Sequence, residues 1–473
     1  MSKVYIKCIA TPDNFYFYDR FMDVVCKVSE NEFNALLKVE QQQTLAGYED
    51  SLKRLTSQGL LKESVVESVS HMDTSHLSFF AQSHLTTLVL QITQQCNFRC
   101  SYCIYGGNYF TREHSNEKMT WDLAKSAVDF YISHSFDEQE ASISFYGGEP
   151  LLEFNLITQI VLYAEKRLKH KLLSFSMTTN GFLLDKHILD FLVSHNFRIM
   201  ISLDGDESTH NANRKLKGGQ NTFTKVYTNI LTIKREYPDF FNSRVTYNAV
   251  FSNTTDLKES FNLFADSGIF SPLNISINFV DSSDMKDDQL IYKHNKKKDY
   301  LNYEYLKLLA AQIGMKKVDN RILLIVNMFS NFRKLYDSLR IHYPEQKIMA
   351  HNGPCLPGIN KLFVTVNGLF YPCERVAENR CDLCIGCIDT GFNFETMRNI
   401  LNPCKPLESK CLSCWNLRRC SFCSGMIETA GEEINASYVL NECENSKSRV
   451  INDLKDLCML CEMGYGTNTN MIV

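Results

Sequence analysis

Between residues 86 and 281 the chain alternates short, apolar, β-branched runs with longer stretches of helical periodicity. The runs fall at 86–93, 141–146, 173–179, 198–203, 244–252 and 274–280. Between the second and third, Leu156, Ile157, Ile160, Val161, Ala164 and Leu168 share one face at helical spacing, which predicts a helix over 155–170. Thr120 is the expected N-cap of a helix over 121–135, and 222–237 and 256–267 read as further helices. Strands separated by helices pair in parallel through right-handed crossovers. The expected fold class is α/β, with a partial (β/α)6 barrel. An open doubly wound sheet is the competing arrangement.

The first 85 residues follow a different pattern. Residues 3–10, 15–18 and 25–28 read as strands, with Asp13 and Asn14 as turn residues. Ser29 and Glu32 form a capping-box pair before a helix through Leu37, and a second helix near 48–58 ends at Gly59. This predicts a small α+β domain with a winged-helix-like order of elements. The expected division is residues 1–85, then the barrel over 86–330, then a bridging region and a cysteine-rich domain over 331–473. A charged helix is expected at 281–314, with Lys296, Lys297 and Lys298 on a solvated face.

A chain of 473 residues suits about three domains and can bury a sizeable core. A net charge of -4 argues against a nucleic-acid partner. No apolar run approaches the ~20 residues that span a bilayer, and the first five residues lack the apolar core of a signal peptide. No membrane partner and a cytoplasmic location are therefore expected.

The cysteines change the picture. There are 18, and 13 lie after residue 350. A disulfide scaffold suits small secreted chains, so reduced thiols gathered for metal are the better reading. Cys96, Cys100 and Cys103 form C-x3-C-x2-C directly after the first strand of the barrel. That is where α/β folds place chemistry. A four-iron cluster normally takes four cysteines, so three leave one iron open.

These residues resemble the radical S-adenosylmethionine (SAM) superfamily, whose signature is C-x3-C-x-aromatic-C, with Tyr102 in the aromatic slot. The resemblance implies a [4Fe–4S] cluster whose open iron chelates the amino and carboxylate groups of SAM. It also implies one-electron cleavage of SAM to a 5′-deoxyadenosyl radical that abstracts hydrogen from a substrate. Gly147, Gly148 and Glu149, before Pro150, look like the family's GGE motif, which faces the SAM amino group. Asn180 follows the third strand, and Ser202 and Asp204 close the fourth, where the resemblance places Ser202 near the ribose of SAM. Arg214 keeps the slot of an arginine near the SAM carboxylate, whereas Asn211 stands where relatives often carry Asp. Asn248, on the fifth strand, is a weaker candidate.

The second cysteine field resembles a SPASM domain, which holds two auxiliary iron–sulfur clusters. Cys355 precedes Gly368 and Cys373; Cys411-x2-Cys414-x5-Cys420-x2-Cys423 follows, then Cys443. The last local spacing is two residues where three are usual. Carried over by position, Cys411, Cys414, Cys420 and Cys443 would hold the outer cluster, and Cys355, Cys373 and Cys423 the inner one. The extra Cys381, Cys384 and Cys387 are a source for the missing inner ligand, and an iron left open for a substrate thiolate is the alternative. Zinc is the rival metal, but zinc ribbons usually separate their C-x2-C pairs by ~15–20 residues. Cys8, Cys26, Cys404, Cys458 and Cys461 match no slot and read as buried structural thiols.

The layout is similar to that of enzymes that modify peptides. The resemblance implies a peptide maturase that oxidises or crosslinks side chains of a ribosomally made precursor, forming thioether or carbon–carbon bonds. The precursor would bind residues 1–85 by adding a strand to the sheet edge, and flavodoxin or ferredoxin would supply electrons. Two alternatives stay open: a sulfatase-maturase-like enzyme that makes formylglycine, and a non-catalytic, metal-stabilised peptide-binding protein.

Overall fold

Strands β1 (Ile6–Ala10), β2 (Phe15–Asp19) and β3 (Val24–Val28) form an antiparallel sheet in the order β1-β2-β3. The chain is seen here as a computed structural model. It describes residues 3–44, 47–48, 50–106, 109, 115–280, 285–286, 296–326, 328–329, 332–341, 343–352, 354–421, 423, 429–430, 433–434 and 436–466. Strand β2 is apolar on both faces because both are covered. Phe17 packs with Leu36 and Leu55, while Tyr16 and Tyr18 pack with Tyr336 and Leu457. The helix Glu30–Glu40 starts with the expected capping box: the Glu32 amide donates to Ser29 Oγ at 3.3 Å, and the Ser29 amide donates to Glu32 Oε2 at 2.8 Å.

The short strand β4 (Ser68–Val69) leads into six parallel strands. These are β5 (Thr87–Thr93), β6 (Glu140–Gly147), β7 (Leu172–Thr179), β8 (Arg198–Ser202), β9 (Val245–Phe251) and β10 (Ile275–Phe279). They lie side by side in chain order, without the reversal a doubly wound sheet requires. The fold is therefore α/β with a partial barrel. The Trp121–Ser133, Phe154–Arg167 and Phe223–Glu236 helices contribute buried faces, and Thr120 caps the first through the Leu123 amide. The expected helix at 256–267 divides into Leu257–Phe261 and a π-turn at Asn262–Asp266. The charged stretch at 281–314 lies partly outside the described residues, as do the side chains of Lys296, Lys297 and Lys298; its described helix is Lys296–Gln312.

The sheet does not end at β5. Beyond β11 (Ile348–Met349), which pairs with β4, strand β12 (Leu362–Val364) lies parallel to β5. Strands β13 (Leu369–Tyr371), β14 (Gly386–Cys387) and β15 (Gly391–Phe392) then continue antiparallel. The cysteine-rich region is thus built onto the barrel's own sheet. Strand β5 is consequently buried along its length and serves as the spine of the largest core.

The N-terminal sheet rests on the C-terminal region. Glu462 accepts from Thr11 Oγ1, Asn14 Nδ2 and Tyr16 OH at 2.7, 2.9 and 2.8 Å. Arg419 grips Asp23 through Nε and Nη2 at 2.9 and 2.7 Å. Among the described residues, no helix is long and apolar enough to cross a membrane.

Candidate functional site

The loop after β5 carries the first three cysteines, and Phe98 anchors it. That ring is buried against Phe182, edge-on, and leaves the cysteines at the sheet's C-terminal end. Backbone bonds from Arg99 to Lys215 (2.7 Å) and from Ser101 to Asn213 (3.0 Å) tie the loop to the segment after β8. Cys96, Cys100 and Cys103 are close enough to perturb one another's ionisation. Burial pushes Cys96 up to about 12, with Glu149 next in effect; burial also raises Cys100, against the pull of Arg214. Thiols in such a pocket stay neutral until a metal's positive charge compensates them. A donor set of three soft sulfurs fits an iron–sulfur cluster with one iron open.

The ends of β6 and β7 close on this loop. Gly147, at φ +137°, lies so near Thr93 that a Cβ would stand 2.1 Å from its carbonyl oxygen; at Gly148 the distance to the Gln95 oxygen would be 2.0 Å. Both glycines are therefore required by strand-to-loop packing. The Gly148 and Glu149 amides donate to Thr93 O and Gln95 O at 2.8 and 2.9 Å. Glu149 is fully buried. It accepts from Thr179 Oγ1 (2.7 Å), the Asn180 amide (2.7 Å) and the Leu151 amide (3.2 Å), and burial pushes its carboxyl up to about 7. Asn180 Nδ2 donates to Asn97 Oδ1 at 2.8 Å and stands 4.0 Å from Cys96 Sγ.

The fourth strand brings a charged pair. Arg214 Nε lies 3.0 Å from Asp204 Oδ2, and Arg214 Nη1 lies 3.9 Å from Cys100 Sγ. Tyr102 donates its hydroxyl to the same Asp204 oxygen, beneath the Arg214 guanidinium at 5.4 Å. Asp204 Oδ1 accepts from the Val250 amide at 3.1 Å. Ser202 is buried beside Asn248, its register partner. Asn248 accepts from Asn278 Nδ2 at 2.7 Å. Asn211 accepts from the Thr222 and Phe223 amides, both at 3.0 Å, so it caps the helix Phe223–Glu236.

The C-terminal cysteines divide. Cys411, Cys414, Cys420 and Cys443 act on one another electrostatically; Cys411 comes from the Glu408–Leu412 turn, Cys414 lies just after it, and Cys443 comes from the helix Ala436–Glu462. Cys373 neighbours Cys423, whereas Cys355 and Cys423 are exposed. Cys384 and Cys387 bond their own turn, to Gly386 O at 3.3 Å and Thr390 Oγ1 at 3.1 Å, and Cys381 is exposed. Among the described residues, no three ligating side chains converge tightly enough for a single metal ion. The thiolates of a four-iron cluster bind different irons and stand further apart.

Two further residues came into view only with the fold. Glu378, on the loop after β13, accepts from Tyr105 OH (2.6 Å), Gln91 Nε2 (2.7 Å) and Gln94 Nε2 (3.2 Å), joining the cysteine-rich region to the first cysteine loop. Cys404 is buried in one cluster with Cys411 and Cys420, and its nearness to Cys411, with burial, pushes its thiol up. Neither belongs to a motif.

A barrel with three cysteines on its first loop, a buried carboxylate and an Asp–Arg pair at its strand ends has the architecture of a SAM-dependent iron–sulfur enzyme. Residues 90–251 match the model of the radical SAM superfamily, and the chain carries a radical SAM domain. The cofactors of that domain are SAM and a [4Fe–4S] cluster. The radical SAM cyclopropyl synthase TigE of Paramaledivibacter caminithermalis is 26% identical over 41% of this chain and 42% of its own length. The cysteine-type anaerobic sulfatase-maturating enzyme of Clostridium perfringens (strain 13) is 29% identical over 30% of this chain and 39% of its own. Their shared region thus spans about two fifths of those relatives. The solved structure of native anSMEcpe with bound AdoMet shares the fold, with a TM-score of 0.52 and 19% identity over 78% of this chain and 99% of that one.

Proposed function

We propose that this protein is a radical SAM peptide maturase. One observation carries the reading: the loop of Cys96, Cys100 and Cys103 is joined, through Glu378, to a cysteine-rich region built onto the same sheet. When bound, the cluster and SAM supply one-electron chemistry that ends in hydrogen abstraction from a substrate. The chain's own contribution is placement. The three cysteines would hold the cluster; Glu149, Asn180 and the Asp204–Arg214 pair would hold the amino and carboxylate ends of SAM. Cys411, Cys414, Cys420 and Cys443, and Cys355, Cys373 and Cys423, would hold two auxiliary clusters. The free edge of the sheet β1-β2-β3 would take an extended peptide, and a flavodoxin or ferredoxin would deliver electrons.

The test is anaerobic turnover. The reconstituted chain with SAM, reductant and a precursor peptide should release 5′-deoxyadenosine and change the peptide's mass. Cys96→Ala or Cys100→Ala should abolish both. A formylglycine-forming sulfatase-maturase activity is a second reading, favoured by the likeness to the Clostridium perfringens enzyme. It predicts loss of a thiol and gain of an aldehyde in a short peptide with no leader. Failure to produce 5′-deoxyadenosine with any reductant would overturn both.

A further inference from the structure

A second extended segment lies against the loop of Cys96, Cys100 and Cys103. The Arg99 amide donates to Lys215 O at 2.7 Å, the Lys217 amide donates to Asn97 O at 2.9 Å, and Phe98 bridges Leu216, so 213–217 run antiparallel to 97–101. Side chains alternate across such a segment. Arg214 is buried, with Nη1 3.9 Å from Cys100 Sγ, and Leu216 packs on the largest core. Lys215 and Lys217 fall on the opposite face, and both are exposed. The chain then turns back at an unobstructed tip: the Gly219 amide donates to Leu216 O at 2.8 Å, and a Cβ at Gly219 would meet nothing within 4 Å.

The charge here has one sign. Between Glu207 and Glu236 the chain carries Arg214, Lys215, Lys217, Lys225, Lys234 and Arg235 and no acidic side chain. Residues 94–106 add Arg99 and no other charge, and Arg99 Nη1 bonds Cys96 O and Phe98 O, both at 2.7 Å. The Lys215 and Lys217 ammonium groups make no ion pair or hydrogen bond among the described residues, so they do not build the hairpin. In a chain of net charge -4 they form an uncompensated positive patch, on the outer side of the loop whose inner side faces Arg214. Such a patch attracts and orients a protein of opposite charge.

We propose that the face of Arg99, Lys215 and Lys217 is the docking site of an acidic one-electron carrier protein. The choice of partner follows from position. The cysteines that would hold the electron's acceptor lie on the segment to which these lysines are bonded through their backbone. One electron leaves the reduced carrier and enters the cluster held by the three cysteines, and no bond forms or breaks. The proposal rests on the cluster reading under Proposed function and adds to it the surface where a flavodoxin or ferredoxin meets the chain.

The test is carrier binding by the anaerobically reconstituted chain, at low and at physiological ionic strength, with carrier-driven release of 5′-deoxyadenosine as a second readout. The probes are a flavodoxin and a ferredoxin. The chains compared are the wild type, Lys215→Glu/Lys217→Glu and a control of equal charge, Lys166→Glu/Lys169→Glu. The control's exposed lysines lie at the C-terminal end of the Phe154–Arg167 helix and just beyond it, before the start of β7 and away from the cysteines. At low ionic strength Lys215→Glu/Lys217→Glu should weaken binding of at least one carrier and slow the release driven by it about tenfold or more. The gap should narrow as salt screens the charges. The control should match the wild type. Photoreduced deazaflavin, a small reductant that needs no docking face, should drive every chain at one rate. Equal loss in the control, wild-type binding by Lys215→Glu/Lys217→Glu, or slowing with deazaflavin as well overturns the docking site. So does a wild type that binds neither carrier while deazaflavin drives SAM cleavage, and that outcome leaves the enzyme reading standing. A wild type that releases no 5′-deoxyadenosine with any reductant overturns both.

Discussion

Arg20, at the end of the second N-terminal strand, donates from Nη1 to the backbone carbonyl of Cys414 at 2.9 Å. The same nitrogen bonds Leu412 O at 2.9 Å, Nη2 bonds Ser64 Oγ, and Nε pairs with Glu345 at 2.6 Å. Both members of the ion pair are 1% exposed. The carbonyls shaping the C-terminal cysteine loop are thus held by a residue almost 400 positions earlier. Removing one partner of a buried pair costs about 3–5 kcal/mol, because the other charge is left uncompensated. Arg20→Met should therefore lower unfolding free energy by that amount in a denaturant titration. Arg20→Met/Glu345→Leu should recover most of it. Both variants should hold the outer cluster less tightly, since Leu412 O and Cys414 O lose their donor; unchanged iron retention would contradict that link.

His210 is buried between Asp204 and Thr222. The Asp204 amide donates to Nδ1 at 3.4 Å, so Nε2 carries the proton and donates to Thr222 Oγ1 at 3.1 Å; the threonine hydroxyl passes its own proton to Arg214 O at 2.6 Å. Burial, with Arg214 adding to it, lowers the imidazole from 6.5 to about 3. The folded state thus holds His210 neutral where the unfolded chain would protonate it. Stability from this group is complete above 6.5 and is lost as pH falls from there towards 3. At pH 5 the loss is about 2 kcal/mol. His351, lowered by burial to about 4, titrates in the same direction, so the contribution must be read by difference. His210→Gln can keep both hydrogen bonds without titrating. Denaturant midpoints at pH 7.5 and pH 5 should fall less for this variant than for the wild type; an equal fall would show that His210 does not drive the loss.

Legibility in the sequence depended on length and on contiguity. The six barrel strands are five to eight residues long, and each lies within the run that marks it, to within two residues at either end. Strands β12 to β15 are only two or three residues long, too short for any periodicity, and they exist because β5 offers an unpaired edge. The first cysteine motif is readable because it occupies eight consecutive residues. Cys404 is not, because a turn and a neighbouring histidine's backbone carry it to the outer group. Nothing near Arg20 in the sequence marks it, since its partners lie at 345, 412 and 414. The glycines of Gly147-Gly148-Glu149 read as letting the backbone approach the SAM amino group; in the fold what bars a Cβ at them is the backbone of Thr93 and Gln95.

Gly147 and Gly148, like Gly386, are blocked by backbone rather than by a side chain. A Cβ at Gly148 meets the Gln95 carbonyl, which is fixed by its own hydrogen bond from Glu149. At Gly218 the nearest atoms belong to the flexible Gln220 amide. Gly148→Ala should therefore cost about 2–4 kcal/mol by displacing the cysteine loop, whereas Gly218→Ala should stay within about 0.5 kcal/mol. Thermal or denaturant unfolding distinguishes them. Iron content should fall in the first variant only.

Asp204 has two oxygens and three partners: the Tyr102 hydroxyl and the Arg214 guanidinium charge share one, and the Val250 amide takes the other. It is therefore the charge that permits Arg214 to be buried beside Cys100. Asp204→Asn keeps the shape and removes the charge, leaving a buried guanidinium without its counter-ion, at a cost of about 3–5 kcal/mol. Tyr102→Phe removes one hydrogen bond of a charged acceptor and should cost about 1.5–3 kcal/mol. Because Tyr102 bonds Asp204 directly, the two effects should not add, and a double-mutant cycle should show coupling of at least about 0.5 kcal/mol. The functional consequence follows from the same geometry. If the pair holds the carboxylate end of SAM, Asp204→Asn/Arg214→Met should regain stability by removing both charges yet fail to bind SAM. Calorimetric titration of SAM against that variant, folded and loaded with iron, measures this directly. Binding at wild-type strength would assign the pair to folding alone.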